Sequence, residues 1–206
     1  MKKTMKIAMA VALLFTATLS AHAQFSAKSS DRVPDRFHMG LRAGFTSNIY
    51  TGDNGEGDNV AFLFPTGGLA LDFQVAPVPV FVGLGLNYVN YGAKWEYRGY
   101  TEKVDDAHSI QLPITAGYHI NVAPNLFINP FLGGFMAYNF NDDFYEQFNY
   151  GLRVGCGMNF GRLTFDIGYD LGLANLANDD YQRYHKDDIH SGTFFMTIGI
   201  NWAGDR

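Results

Sequence analysis

Hydrophobic and polar positions alternate over much of this chain, and the alternation restarts after short breaks. It is clearest from Tyr150 to Leu173. Tyr150, Leu152, Val154, Cys156, Met158 and Phe160 share one parity, while Gly151, Arg153, Gly155, Gly157 and Asn159 hold the other. After Gly161-Arg162 the pattern resumes, with Leu163, Phe165, Ile167, Tyr169 and Leu171 set against Thr164, Asp166, Gly168, Asp170 and Gly172. Side chains of a strand point alternately to its two faces, so this period predicts a hairpin with one apolar face and one small or polar face.

The same design predicts six further strands. The first runs from about Phe37 to Tyr50, with Met39, Leu41, Ala43 and Phe45 on the apolar face and Arg42 opposite. The second covers about Phe62 to Val75 and carries Leu69, Leu71, Phe73 and Val75 against Asp72 and Gln74. The third starts at Val80, after the short Ala76-Pro77-Val78-Pro79 connection. The fourth sets Ile110, Leu112, Ile114, Ala116, Tyr118 and Ile120 against Gln111, Pro113, Thr115, Gly117 and His119. A bulge is expected at Pro113, because proline cannot donate to a ladder. The fifth, about Leu126 to Phe140, leaves its parity open: Ile128, Leu132, Met136 and Tyr138 compete with Phe127, Phe131 and Phe135 for the apolar face. The last carries Phe194, Met196, Ile198, Ile200 and Trp202.

The connections alternate long and short. The long ones are polar: Thr51–Asn59, the stretch ending near Ala107, Asn141–Phe148 and Ala174–Ile189. A meander built this way puts the long connections at one end and the short turns at the other, as in bacterial outer-membrane barrels. The fold class expected is an all-β, eight-stranded, antiparallel up-and-down transmembrane barrel, with the long loops extracellular.

Periodicity alone does not say which face is outside, since a soluble barrel shows the same alternation inverted. The charges decide. Beyond the first 23 residues the lysines are Lys28, Lys94, Lys103 and Lys186, and the glutamates are Glu56, Glu96, Glu102 and Glu146. They fall in or beside loops or in the N-terminal lead-in, not along a wet strand face. The polar face is mostly Gly, Thr and Asn, which suits the crowded centre of a small barrel. Aromatics near the strand ends predict interfacial girdles: Phe37, Phe73, Tyr118, Phe160 and Trp202 on the periplasmic side, and Tyr88, Tyr138, Tyr150 and Tyr169 toward the outer one.

The N-terminus adds the route. Lys2, Lys3 and Lys6 precede a short apolar core, and Ala21-His22-Ala23 is an A-x-A-like cleavage site. Residues 1–23 are therefore expected to be a signal peptide cleaved near Ala23, 24–36 a periplasmic lead-in and 37–206 the outer-membrane barrel domain. Removal of 1–23 takes away three lysines and no acid, shifting the formal net charge from −5 to −8. That balance, with no basic cluster, argues against nucleic acid as a partner. A single cysteine excludes an internal disulfide framework.

Several stretches resemble the PorT-like outer-membrane β-barrel proteins of Bacteroidetes-type bacteria: SIQLPITAGY (Ser109–Tyr118), NPFLGGF (Asn129–Phe135), YGLRVGCGMNF (Tyr150–Phe160) and YDLGLANLA (Tyr169–Ala177). The resemblance spans the mature chain. It implies the same fold and location, and for the name-giving member a tie to protein secretion. Such barrels often end on an aromatic residue, whereas here Trp202 is followed by Ala203-Gly204-Asp205-Arg206.

Candidate chemistry is sparse. Arg42, Asp72, His119, Arg153, Asp166 and Asp170 project to the expected interior. Buried charges must be paired, so they are read as a structural network, with Arg153 and Asp166 as the specific pair. His190-Ser191 and His108-Ser109 raise a lipid hydrolase, but neighbours on a strand face opposite ways and no third member completes a triad. Asp53, Glu56, Asp58, Asp179, Asp180, Asp187 and Asp188 do not match a calcium loop and are read as solvated. Tyr145, Tyr150, Tyr181 and Tyr184 offer a ligand or partner contact. Cys156 is expected to be inert and lipid-facing. No catalytic, cofactor or metal site is expected. The partners expected are outer-membrane lipid and an extracellular or secretion-system protein. The leading role is structural or surface-interacting; a secretion accessory comes second and a lipid-modifying enzyme third.

Overall fold

Strictly alternating segments bounded by glycine, proline and polar clusters form strands wherever a second such segment can pair with them. A computed structural model of the protein describes Phe37–Thr51, Asp58–Val60, 63–75, 78–91, Lys94–Tyr97, Tyr100–Lys103, 108–123, 126–140, 147–175 and His190–Ala203. The signal peptide and lead-in expected over 1–36 lie outside the described residues. The strands are β1 (Phe37–Thr51), β2 (Asp58–Val60), β3 (Phe64–Val75), β4 (Val80–Asn90), β5 (Lys94–Tyr97) and β6 (Tyr100–Lys103). They continue with β7 (His108–Tyr118), β8 (Ile120–Ala123), β9 (Leu126–Asn139), β10 (Phe148–Phe160), β11 (Leu163–Gly172) and β12 (His190–Ala203).

Eight of these close a ring in the order β10-β11-β12-β1-β3-β4-β7-β9, with β9 paired back to β10. Every pairing is antiparallel, and closure leaves no free sheet edge. A two-residue turn, Gly161-Arg162, joins β10 to β11. Gly161 sits there at φ 58°, in the left-handed region that favours glycine.

The face assignment follows from burial. Ile198 is 61% exposed and Leu132 57%, whereas Gln111 and Ser109 are 0% exposed. Apolar side chains turned outward around a polar centre invert the rule for water-soluble proteins. The arrangement is stable where the surroundings are acyl chains, which accept only helices or closed barrels. Phe73, Tyr118, Phe160 and Trp202 are exposed at the end with the short turns, where Phe37 packs 5.0 Å from Phe73.

The fifth segment now has its parity. Ile128, Leu132, Met136 and Tyr138 face outward, and Phe135 is buried inside, with Phe131 on the same parity. Four of the inward phenylalanines have a common reason. Each lies opposite a glycine of the next strand: Phe81 opposite Gly117, Phe131 opposite Gly155, Phe135 opposite Gly151 and Phe195 opposite Gly168. A Cβ on Gly155 would come within 2.8 Å of the Phe131 ring, and one on Gly168 within 2.8 Å of the Phe195 ring. The small inner face is thus the floor on which aromatic rings lie. Gly155→Ala should therefore cost about 1–3 kcal/mol through overpacking. Gly134→Ala, on the outer face, should cost distinctly less; urea unfolding of the two variants in lipid checks the contrast.

Two expectations are corrected. No bulge forms at Pro113: the β4–β7 register is the same at Leu84↔Ile114 and Asn87↔Gln111 on either side of it. The ring is accommodated by Gly85 across from it, where a Cβ would meet Pro113 Cγ at 2.7 Å. The irregularity comes further on, with a register shift between Asn121 and Ala123 in β8. Secondly, the first two long connections are not wholly loop. They supply β2, β5 and β6, which form a separate three-stranded sheet with β5 between the other two.

Candidate functional site

Inward positions of adjacent strands stack into layers, and the charged ones have to find partners inside the barrel. Arg153 on β10 lies directly across from Asp170 on β11. Its Nε donates to Asp170 Oδ1 and its Nη2 to Asp170 Oδ2, both at 2.6 Å, a two-pronged pair. Nη2 also donates to Gln111 Oε1 on β7 at 2.7 Å. Gln111 Nε2 in turn donates to Asp170 Oδ2 at 2.9 Å and to the Tyr91 hydroxyl at 3.0 Å. The Tyr50 hydroxyl donates to the Tyr91 carbonyl. The guanidinium stands 4.4 Å over the Phe195 ring, which adds a cation–π contact. This network ties together residues of β1, β7, β10, β11 and β12 and Tyr91 just past β4.

Arg42 on β1 anchors a second layer nearer the short turns. Its Nε donates to Asp166 Oδ2 at 2.9 Å and its Nη1 to Asn201 Oδ1 at 2.8 Å. His119 Nδ1 bonds Asn129 Oδ1 at 2.8 Å, with Phe81 stacked on the imidazole at 4.6 Å between centroids. Asp72, the remaining interior acid, makes no hydrogen bond or ion pair with the other described residues. Around these groups the side chains leave a cavity of about 110 Å³.

All six interior residues named from the sequence line this cavity. The specific pair expected is not formed: Arg153 bonds Asp170, and Asp166 bonds Arg42. The reason is register. The two-residue turn sets Arg153 against Asp170 and leaves Asp166 opposite Gly157. Sequence reasoning missed Gln111, Tyr91 and Asn201 as network members. The inward parity of Gln111 and Asn201 was the available signal.

The serine–histidine candidates are not brought together. His108 Nδ1 lies 2.5 Å from the Tyr88 hydroxyl, while Ser109 points inward and bonds Asn139. His190 Nδ1 meets the Ala174 carbonyl at 3.1 Å, while Ser191 accepts from Asn149. The acidic-loop side chains and Tyr145, Tyr181 and Tyr184 lie outside the described ones. Cys156 shares the outward parity of Leu152 and Met158 and is half-buried.

A closed ring of eight strands, greasy outside and ion-paired inside, invites comparison with known proteins. Residues 22–178 match the family model of the outer membrane protein beta-barrel domain. The chain belongs to that family. No curated protein matches it by sequence. Among solved structures it is similar to the outer membrane protein OprG of Pseudomonas aeruginosa, with 10% identity, TM-score 0.53, and coverage of 83% of this chain and 98% of that one. Neisserial surface protein A aligns at 12% identity and TM-score 0.46, covering 83% of this chain and all (100%) of that one. Ail, the attachment invasion locus protein of Yersinia pestis, aligns at 16% identity and TM-score 0.42, covering 80% and 98%. At such identities the likeness to OprG speaks for the fold alone. The protein is thus a small outer-membrane barrel of eight strands.

Proposed function

We propose that this barrel is a non-catalytic outer-membrane protein that presents its extracellular end to a protein partner. One observation carries the reading. Two separate long connections contribute β2, β5 and β6 to a sheet of their own, distinct from the barrel ring. Lipid does not require such a sheet, and the barrel closes without it, so a recognition surface accounts for it best. The tyrosines and acids of the long connections supply the side-chain types that suit polar, aromatic recognition.

Within this reading, an accessory role in protein secretion is the finer alternative, and its support is the PorT-like resemblance of Ser109–Tyr118 and Tyr150–Phe160. A lipid-modifying activity has less support, because both histidines bond groups other than a serine. Photocrosslinkers placed at Tyr97 and Tyr100 in intact cells test the proposal. Discrete protein adducts are expected, and exclusively lipid adducts would refute it. Secretion of outer-membrane cargo in a deletion strain separates the accessory role, and lipid deacylation by purified membranes separates the enzyme. In planar bilayers the filled lumen should give no stable large conductance.

A further inference from the structure

The charges inside the barrel do not balance. Arg42 and Arg153 face Asp72, Asp166 and Asp170, which leaves one carboxylate in excess among the described interior side chains when His119 and His38, the latter directly across from Asp72, are neutral. Arg153 is committed to Asp170, and Arg42 to Asp166 and Asn201. Among the described residues Asp72 is the acid with no hydrogen bond or ion pair of its own, Arg42 acting on it only at longer range, and it borders the cavity of about 110 Å³. A carboxylate out of bulk water and without a counter-charge is costly, and the cost is relieved when a cation sits beside it.

The surroundings of Asp72 are built to leave that place open. Across the sheet from it stands Gly83, and the point a Gly83 Cβ would occupy lies 3.0 Å from Asp72 Oδ1 and 2.6 Å from Thr115 Oγ1. The missing side chain thus keeps a carboxylate and a hydroxyl oxygen together at the cavity wall. On the far side, Gly157 leaves Asp166 Oδ1 2.6 Å and Asn129 Nδ2 3.7 Å from its own absent Cβ. Asn129 connects to His119, whose ring packs on Phe81, and Phe81 reaches back to within 3.7 Å of the Gly83 position. His119 is 6% exposed and lines the same cavity. Its Nδ1–H is used on Asn129, and its Nε2 is buried without a partner. That lone pair needs a donor, which a water in the cavity supplies. A site of this volume, in the measure that needs about 10–15 Å³ per water, holds several.

We infer that the half of the lumen nearer the short turns is a binding site for one monovalent alkali cation carrying part of its hydration shell. Asp72 and Thr115 offer hard oxygen ligands, the type that hard cations take, and Oδ1 of Asp166 faces them across the cavity. One of the ion's waters donates to His119 Nε2. A single positive charge brings the interior to neutrality, where a divalent ion would overshoot it.

The test uses the full mature barrel refolded in phosphatidylcholine vesicles, unfolded by urea in sodium, potassium or choline chloride at equal concentration. An ion that binds the folded state alone raises the unfolding midpoint with concentration, and choline, whose fully alkylated nitrogen takes no oxygen ligands, is the comparison cation. The expected result is a midpoint that rises with sodium or potassium relative to choline and loses that difference in Asp72→Asn. That variant in choline should be at least as stable as the wild type, because the amide carries no uncompensated charge. Thr115→Val, which keeps the shape, should raise the half-saturating cation concentration roughly 10-fold. A wild-type midpoint identical in all three salts would overturn the proposal, including one that responds to pH alone and so assigns Asp72 a proton. A full cation response in Asp72→Asn would overturn it too. Should Asp72→Asn fail to fold, an unchanged half-saturation in Thr115→Val would do so.

Discussion

Arg153→Ala should lower the unfolding free energy of the barrel in lipid by about 3–5 kcal/mol, because it strands Asp170 as a buried, unpaired charge. Asp170 is 2% exposed, so water does little to relieve it. Gln111 loses a donor at the same time and Phe195 loses its cation. The effect has a signature beyond its size. Residues in one bonded pair couple strongly in a double-mutant cycle, with about 0.5–3 kcal/mol of interaction energy. Arg153→Ala with Asp170→Ala should show that coupling. Arg153→Ala with Asp166→Ala should lie much nearer to additive. Equal coupling in the two cycles would contradict the register of the β10–β11 hairpin.

Ile198→Arg should cost about 2–4 kcal/mol, because it puts a charge on the lipid face. Ile198 lies well inside β12, paired with Ala43 on one side and Phe165 on the other. The neighbouring Thr197→Ser faces the lumen and should be mild. Urea titration of both variants in vesicles reads the difference directly. Equal costs would mean that the two faces had been exchanged.

How much of this was legible beforehand depends on the residue. Arg42, Arg153, Asp166 and Asp170 declared themselves, since a charge between apolar neighbours at period 2 has one place to go. Partner choice was also available, because a two-residue turn at Gly161-Arg162 fixes which residues face each other, and it assigns Asp170 to Arg153. The parity of β9 was not readable from β9 alone. Phe131 and Phe135 are as apolar as Leu132 and Met136, and what draws them inward is Gly155 and Gly151 on the next strand. Pro113 misled for a similar reason: the accommodation lies in Gly85, on a strand distant in sequence. The sheet of β2, β5 and β6 depends on pairing between two connections rich in polar residues, where alternation is too weak to signal a strand. The imbalance at Asp72 needed both pairings to be known first.

The orientation of the apolar face underlies all of these effects, and the native chain carries its own probe. Cys156 is the sole cysteine, and its parity on β10 is that of the outward residues. A nitroxide attached to Cys156 of the otherwise unaltered barrel in vesicles reports which solvent it meets. Collisions with dissolved oxygen should dominate and collisions with a water-soluble nickel chelate should be few, as for a side chain among acyl chains. The reverse ranking would place the apolar face away from lipid and contradict the account.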